Sequence, residues 1–284
     1  MPLGRVLEAV VACRDVQASV DFHTTAFDLD VIERTSDNAL LGVAGVATGR
    51  LRLVPAPAAA RVLPDPQVWD IGPRLLGMYS RDLAASIRGI DDAGGRARPS
   101  VTYPYGSAHL TECVALGTDG VWWTMPQAGA AHRPSPALER DPQRRHGELH
   151  TAVIVPADHD AAVDFFVRAG GLSVLFEGEM SGDPFDRMVG MPAEASLRLT
   201  FLVPKDQAPA RLEIMSFRGV SAADESQRQL GLRRLIFAAD DVEATRAALL
   251  GAGATAVDAT WLRGPAGLEI ALRPDEAATT ASAA

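Results

Sequence analysis

The chain has 284 residues, 47% of them hydrophobic and 22% charged, which is the balance of a globular protein able to bury a core of ordinary size. Its formal net charge of −9 excludes nucleic acid as a partner on electrostatic grounds, since phosphate binding needs a basic surface. No apolar run approaches the ~20 residues that span a bilayer, and no charged-then-apolar leader opens the chain, so a cytoplasmic protein without a membrane partner is expected. Two cysteines, Cys13 and Cys113, lie in apolar strand-like runs and read as buried free thiols. Arg144, Arg145 and His146, beside Asp141 and Glu148, read as a solvated basic stretch.

The same local pattern recurs four times. An apolar strand runs from Val6 to Cys13, Asp15 follows as a helix cap, and Val16, Val20 and Phe27 form an inward stripe. Strands around 29–34, 39–43 and 51–54 complete the first unit, and a Pro- and Ala-rich connector spans 55–66. The second unit begins at Leu75 to Tyr79, is capped by Asp82, carries Leu83, Ile87 and Ile90 inward, and stops at Gly94 and Gly95. Its strands fit 96–101, 109–115 and 121–125, the last two joined by a tight turn at Asp119-Gly120. From 127 to 145 the chain is rich in Ala, Pro and Arg without a period, which marks a boundary.

The third unit opens on Leu149-His150-Thr151, is capped by Asp158 and buries Ala162, Phe165, Phe166 and Ala169 at helical spacing. Strands at 172–177, 197–202 and 211–217 follow, and 178–187 reads as a solvated loop with a lid as its alternative. The fourth unit runs from Arg233 to Ala239, is capped by Asp241, and ends in a strand at 268–272. With caps at Asp15, Asp82, Asp158 and Asp241, the period is about 67 to 83 residues. The fold class is therefore α+β, with four βαβββ modules. A four-stranded sheet with one helix leaves its other face concave, and two modules side by side make a cup. The expected division is an N-terminal domain at 1–127, a linker at 128–146, a C-terminal domain at 147–274 and a flexible tail at 275–284.

This arrangement resembles the vicinal oxygen chelate superfamily, which includes glyoxalases, extradiol dioxygenases and bleomycin-resistance proteins. The resemblance covers nearly the whole chain. It rests on His150, Asp158 and Phe165-Phe166, on Arg187 to Gly190, on Arg211 to Ile214, on Phe237 to Val242 and on Gly264 to Gly267. It implies two glyoxalase-like paired-module domains with cupped mixed sheets, in which metal-dependent members draw one ligand from each first strand and one carboxylate from each last strand. Those positions here are Glu8, Leu75, His150 and Arg234 on first strands, and Arg52, Thr124, Glu213 and Ala271 on last strands, with Glu269 two residues before Ala271. A non-haem iron or zinc site wants two histidines with one or two carboxylates. The set departs from that pattern, so no cofactor is expected; a divalent metal, if one binds, would sit on His150 and Glu213.

The expected catalytic group is His150 as base, Glu213 as its orienting partner and Arg234 as a guanidinium in the electrostatic role of the missing metal, paired with Glu213 or Glu269. Glu8 facing Arg52 reads as a structural ion pair, with an acid catalyst as its alternative, and both join Glu269 among the candidate substrate-binding residues. Strand parity turns Tyr79 and Trp122 toward the cup and Trp123 toward the core; with Tyr103, Tyr105 and His109 these are the expected substrate contacts. His23, His132, His146 and His159 are expected to be solvated. The implied activity is acid–base chemistry (isomerase, cyclase or lyase type) on an aromatic or carbonyl-bearing metabolite of specialised metabolism. The alternatives are a non-catalytic binder like the bleomycin-resistance proteins and a metal-dependent dioxygenase or glyoxalase. A small molecule is the expected partner, and the chain is expected to be a monomer or homodimer.

Overall fold

A computed structural model describes residues 2–61, 63–105, 108–129, 133–205 and 210–274. Module one comprises β1 (Leu3–Cys13), α1 (Val16–Phe27), β2 (Asp30–Arg34), β3 (Ala39–Gly42) and β4 (Arg50–Pro55). Module two holds β5 (Gly72–Ser80), α2 (Leu83–Asp92), β6 (Arg96–Ala97), β7 (Val101–Tyr105), β8 (Ala108–Leu116) and β9 (Trp122–Pro126). A short helix α3 (Pro136–Arg140) leads into module three: β10 (His146–Val155), α4 (His159–Asp164), β11 (Ser173–Met180), α5 (Phe185–Val189), β12 (Ser196–Val203) and β13 (Arg211–Arg218). Module four is β14 (Gly231–Ala239), α6 (Val242–Gly251), β15 (Thr255–Ala256), β16 (Leu262–Arg263) and β17 (Glu269–Arg273).

All four expected caps form. Asp15, Asp82, Asp158 and Asp241 accept hydrogen bonds at 2.9–3.0 Å from the amides of Ala18, Ala85, Ala161 and Ala244, satisfying first-turn N–H groups that have no partner within the helix. The third helix differs from a plain α-helix. After α4 it continues over Phe165–Ala169 with π geometry, which turns both Phe165 and Phe166 inward, their rings edge to face at 5.0 Å. At Asp119-Gly120 both residues take positive φ (56° and 70°), the geometry of a two-residue hairpin turn, and Ala266-Gly267 repeats it in module four (56° and 72°).

The modules assemble differently from the expected halves. One sheet has the strand order β15-β16-β17-β14-β1-β4-β3-β2, and the other β11-β12-β13-β10-β5-β9-β8-β6, with β7 on β8. Modules one and four therefore share a sheet through the antiparallel β1–β14 pair, and modules two and three through β5–β10. Neither 1–127 nor 147–274 closes a cup by itself. In every module the first and last strands pair in parallel, which leaves one edge of the first strand open to whichever module arrives beside it. Module three takes that place beside module two, and modules one and four take it beside each other. One continuous apolar core, from Leu3, Phe27 and Leu41 to Trp123, Phe166 and Leu235, joins the helix-bearing faces of both sheets.

The segment read as a solvated basic linker is packed. His146 is fully buried, with Nδ1 3.0 Å from Asp28 and Nε2 2.8 Å from the Ser86 hydroxyl, while Arg145 also grips Asp28 at 2.8 Å. Ser135 caps α3 and donates to Glu148 at 2.9 Å. His23 and His159 are likewise buried: His23 contacts the Ser19 carbonyl at 2.6 Å, and His159 bridges the Thr200 and Ser216 hydroxyls at 2.8 and 3.0 Å. Each helix turns its ring inward: His159 has both nitrogens engaged by hydroxyls from distant strands, whereas His23, among the described residues, bonds only through Nδ1 and leaves Nε2 buried without a hydrogen bond. His132 and the tail at 275–284 lie outside the described residues. Cys13 and Cys113 are buried free thiols, each pushed up to about 12 by burial.

Candidate active site

The concave face of the module two–three sheet encloses a cavity of about 210 Å³. Its polar side is built by the central strands. β10 supplies His150, β5 supplies Tyr79, and the two rings stack at 4.1 Å between centroids with 16° between planes. Gly77, between them on β5, allows this approach: a Cβ there would lie 3.0 Å from His150 Cε1 and 2.9 Å from Thr124 Cγ2, and closer still to Thr151 Cγ2.

From β13, Arg211 and Glu213 point into the cup two residues apart, as strand parity requires. Arg211 Nε and Nη2 both engage Glu213 Oε1 (2.9 and 2.8 Å), and the guanidinium lies 4.0 Å over the Phe201 ring. Burial works against the Arg211 charge, but Glu213 and the tyrosines around it more than compensate and hold its pKa above the ordinary value. From β8, Glu112 accepts hydrogen bonds from the Tyr103 and Thr124 hydroxyls. Burial lifts its carboxyl above the usual range, partly opposed by those two donors. Burial and the Glu112 carboxyl raise the Tyr103 phenol, and burial pushes Tyr105 up to about 12. His109 and Arg133 complete the polar lining. Phe176, Phe201, Phe217, Met180 and Met215 form the apolar wall.

Most of the residues expected from the sequence meet here: His150, Glu213, Tyr79, Tyr103, Tyr105 and His109 all line the cavity. Trp122 does face this cup, but it lies under Arg98 (4.7 Å to the ring) in the packed apolar floor and lines no part of the cavity; Trp123 is core, as parity requires. The segment read as a solvated loop contributes α5, whose Phe185, Met188 and Val189 form cavity wall.

Arg234, expected beside His150, belongs to the other sheet. There it binds Glu269 at 2.6 Å, with Arg233 and Arg263 on the same carboxylate at 2.9 and 3.0 Å, while Glu8 is held by Arg52 and Arg273, both at 2.8 Å. The cause is the module pairing: His150 shares a cup with module two, so the guanidinium beside it is Arg211. Arg211 and Glu112 were not among the expected site residues. The i, i+2 relation of Arg211 to Glu213, and a carboxylate in the apolar run Leu110 to Ala115, were the signals available.

The donor set does not fit a catalytic divalent ion. Among the described residues no group of three or more His, Cys, Asp or Glu side chains is placed to hold one. Glu213 is engaged by a guanidinium, and Glu112 by two hydroxyls. No helix among the described residues is long and apolar enough to cross a membrane.

No family model matches the sequence, and no curated protein sequence matches it significantly. Among solved structures, glyoxalase I from Zea mays is similar over 95% of this chain and 92% of its own, at 14% identity and a TM-score of 0.64. A Bacillus subtilis protein described as a candidate dioxygenase is similar over 96% of this chain and 86% of its own, at 12% identity and the same TM-score. At these identities the likeness speaks for architecture. Four βαβββ modules, two cupped mixed sheets and near end-to-end superposition on these proteins establish that the chain has the glyoxalase fold, the architecture the resemblance implied.

Proposed function

We propose that the module two–three cup carries out metal-independent proton transfer on a small aromatic or carbonyl-bearing molecule, in an isomerisation, cyclisation or elimination. The observation that carries this reading is the convergence of His150, the Arg211–Glu213 pair and the buried acid Glu112 on one largely apolar cavity. His150, braced against Tyr79, is positioned as the base that takes a proton from carbon. The Arg211 guanidinium is a fixed cation for the oxygen on which charge develops, in surroundings where water competes weakly. Glu112, whose carboxyl burial shifts toward the protonated form, is the acid placed to return a proton. The fold's usual ion is replaced, in this reading, by a guanidinium.

The test is to load the protein with the small molecules of a cell extract, wash, and recover the retained ligand after incubation in D₂O. Carbon-bound deuterium or a rearranged product with the native protein, absent with His150→Ala, is the expected result. A ligand recovered unlabelled and unchanged would instead support a binding protein, a reading favoured by the Phe- and Met-rich wall. Activity that tracks a stoichiometric transition metal would overturn the metal-free mechanism.

A further inference from the structure

The module one–four cup is built from charges. Its sheet register places Arg52, Val10, Arg234 and Glu269 in one row across β4, β1, β14 and β17. Arg52 and Arg234 therefore flank Val10, two strand spacings or roughly 10 Å apart. Each is braced from the side by a carboxylate nearly removed from solvent: Glu8 (6% exposed) for Arg52, and Glu269 (2%) for Arg234. Arg233, Arg263 and Arg273 join the same two carboxylates. Five guanidinium groups thus surround two buried carboxylates, in a chain of net charge −9. Two further acids stand near by: exposed Glu33, 3.7 Å from Arg52, and Asp258, whose carboxylate accepts from the Thr260 and Trp261 amides. Counting both, the cup still carries net positive charge.

The arginines are anchored without being used up: among the described residues Arg52, the most engaged, gives two N–H groups to Glu8 and one to the Asn38 side-chain oxygen, and keeps two of its five. Among the described residues, Arg233, Arg234, Arg263 and Arg273 each make one hydrogen bond to these carboxylates, out of the five N–H groups a guanidinium carries. Their side chains keep 21–50% exposure, so the unused edges face outward. The Trp261 ring lies 4.7 Å beneath the Arg234 guanidinium and fixes its plane. Arginines held in place by buried carboxylates lose little entropy on binding, and their planar forks suit oxyanions.

We propose that this second cup binds a small oxyanion, carboxylate or phosphate, between Arg52 and Arg234, independently of the His150 cavity. Trp261 is the built-in reporter. The indole N–H signals of the protein are followed by NMR during titration with inorganic phosphate and, separately, with malonate, at constant ionic strength made up with chloride. Trp261→Phe assigns the reporter signal. The expected result is a saturable shift of the Trp261 indole with at least one of the two anions, the stronger identifying whether phosphate or carboxylate is the preferred head group. The apparent Kd should rise at least tenfold in Arg52→Gln combined with Arg234→Gln. A non-saturating shift with both anions, equal to that produced by chloride, overturns the proposal on the native protein alone, whatever the variant does. Unchanged affinity in a folded double variant overturns it as well.

Discussion

Glu112 is the acid of the proposed proton transfer, and its charge state has a thermodynamic signature. Burial raises its folded-state pKa above the unfolded value. Its stabilising contribution is therefore fully present below the unfolded pKa and is lost as pH rises through the folded one. Glu112→Gln, a neutral group of the same shape, should be close to native in stability at pH 4.5. It should become relatively more stable by about 1 kcal/mol or more at pH 8, where the native carboxyl is driven toward a buried charge. Thermal unfolding midpoints of the two proteins across that range test this, and a gap that does not change with pH would show that Glu112 is not held neutral. The same substitution should abolish formation of the rearranged product while leaving deuterium wash-in at the carbon that His150 deprotonates, because an amide has no proton to deliver to the second position. Sequence reading found His150 because a histidine at the start of an apolar strand is conspicuous. It passed over Glu112 because a carboxylate on an apolar strand carries no sign of the Tyr103 and Thr124 hydroxyls that fold around it.

At the scale of the elements, the four aspartate caps were legible because a cap is a local device, decided within three or four residues. His159 on the third helix and His146 at the start of β10 were read as solvated because their partners come from far along the chain: Thr200 and Ser216 for His159, Asp28 and Ser86 for His146. Burial lowers the pKa of His23 from 6.5 to about 4, and that of His146 and His159 below the ordinary value. With the folded-state value depressed, the unfolded chain binds protons more tightly, so stability falls as pH drops from about 6.5 toward 4. His23 alone accounts for on the order of 3 kcal/mol across that window. Urea unfolding at pH 7.5, 6 and 5 should show a steep decline, shallower in His23→Gln; equal slopes would mean that His23 titrates normally. The central strands make a different prediction. Gly77→Ala forces a methyl against Thr124, Thr151 and His150, where three strands meet and none can retreat freely. A loss of about 1–3 kcal/mol is expected, together with a fall in ligand affinity well beyond what that instability explains, because the imidazole is displaced. Native affinity in a folded Gly77→Ala protein would mean that His150 can shift without consequence.

For the whole molecule, the module content was legible and the module pairing was not. Hydrophobic period, caps and turns are properties of one module and read the same whichever neighbour it meets. The choice between pairing one with two and pairing one with four lies in the β1–β14 and β5–β10 edges, both long, apolar and similar in sequence character. That choice decided the candidate site, since it set Arg211 rather than Arg234 beside His150. It also has a mechanical consequence. Cutting the chain near residue 129 separates modules one and two from modules three and four, yet each piece supplies one module to each sheet. The pieces remain joined by two antiparallel ladders and by a core that runs continuously between the sheets. A chain cleaved there by an engineered protease site should therefore elute as one intact particle of about 30 kDa on gel filtration. It should keep its cavity ligand and come apart only at denaturant concentrations that unfold the sheets. Had consecutive modules closed each cup, the cleaved halves would share only a domain–domain contact and would separate as folded units. Two folded particles of half the mass would contradict the crossed pairing, and with it the placement of His150 and Arg211 in one cup.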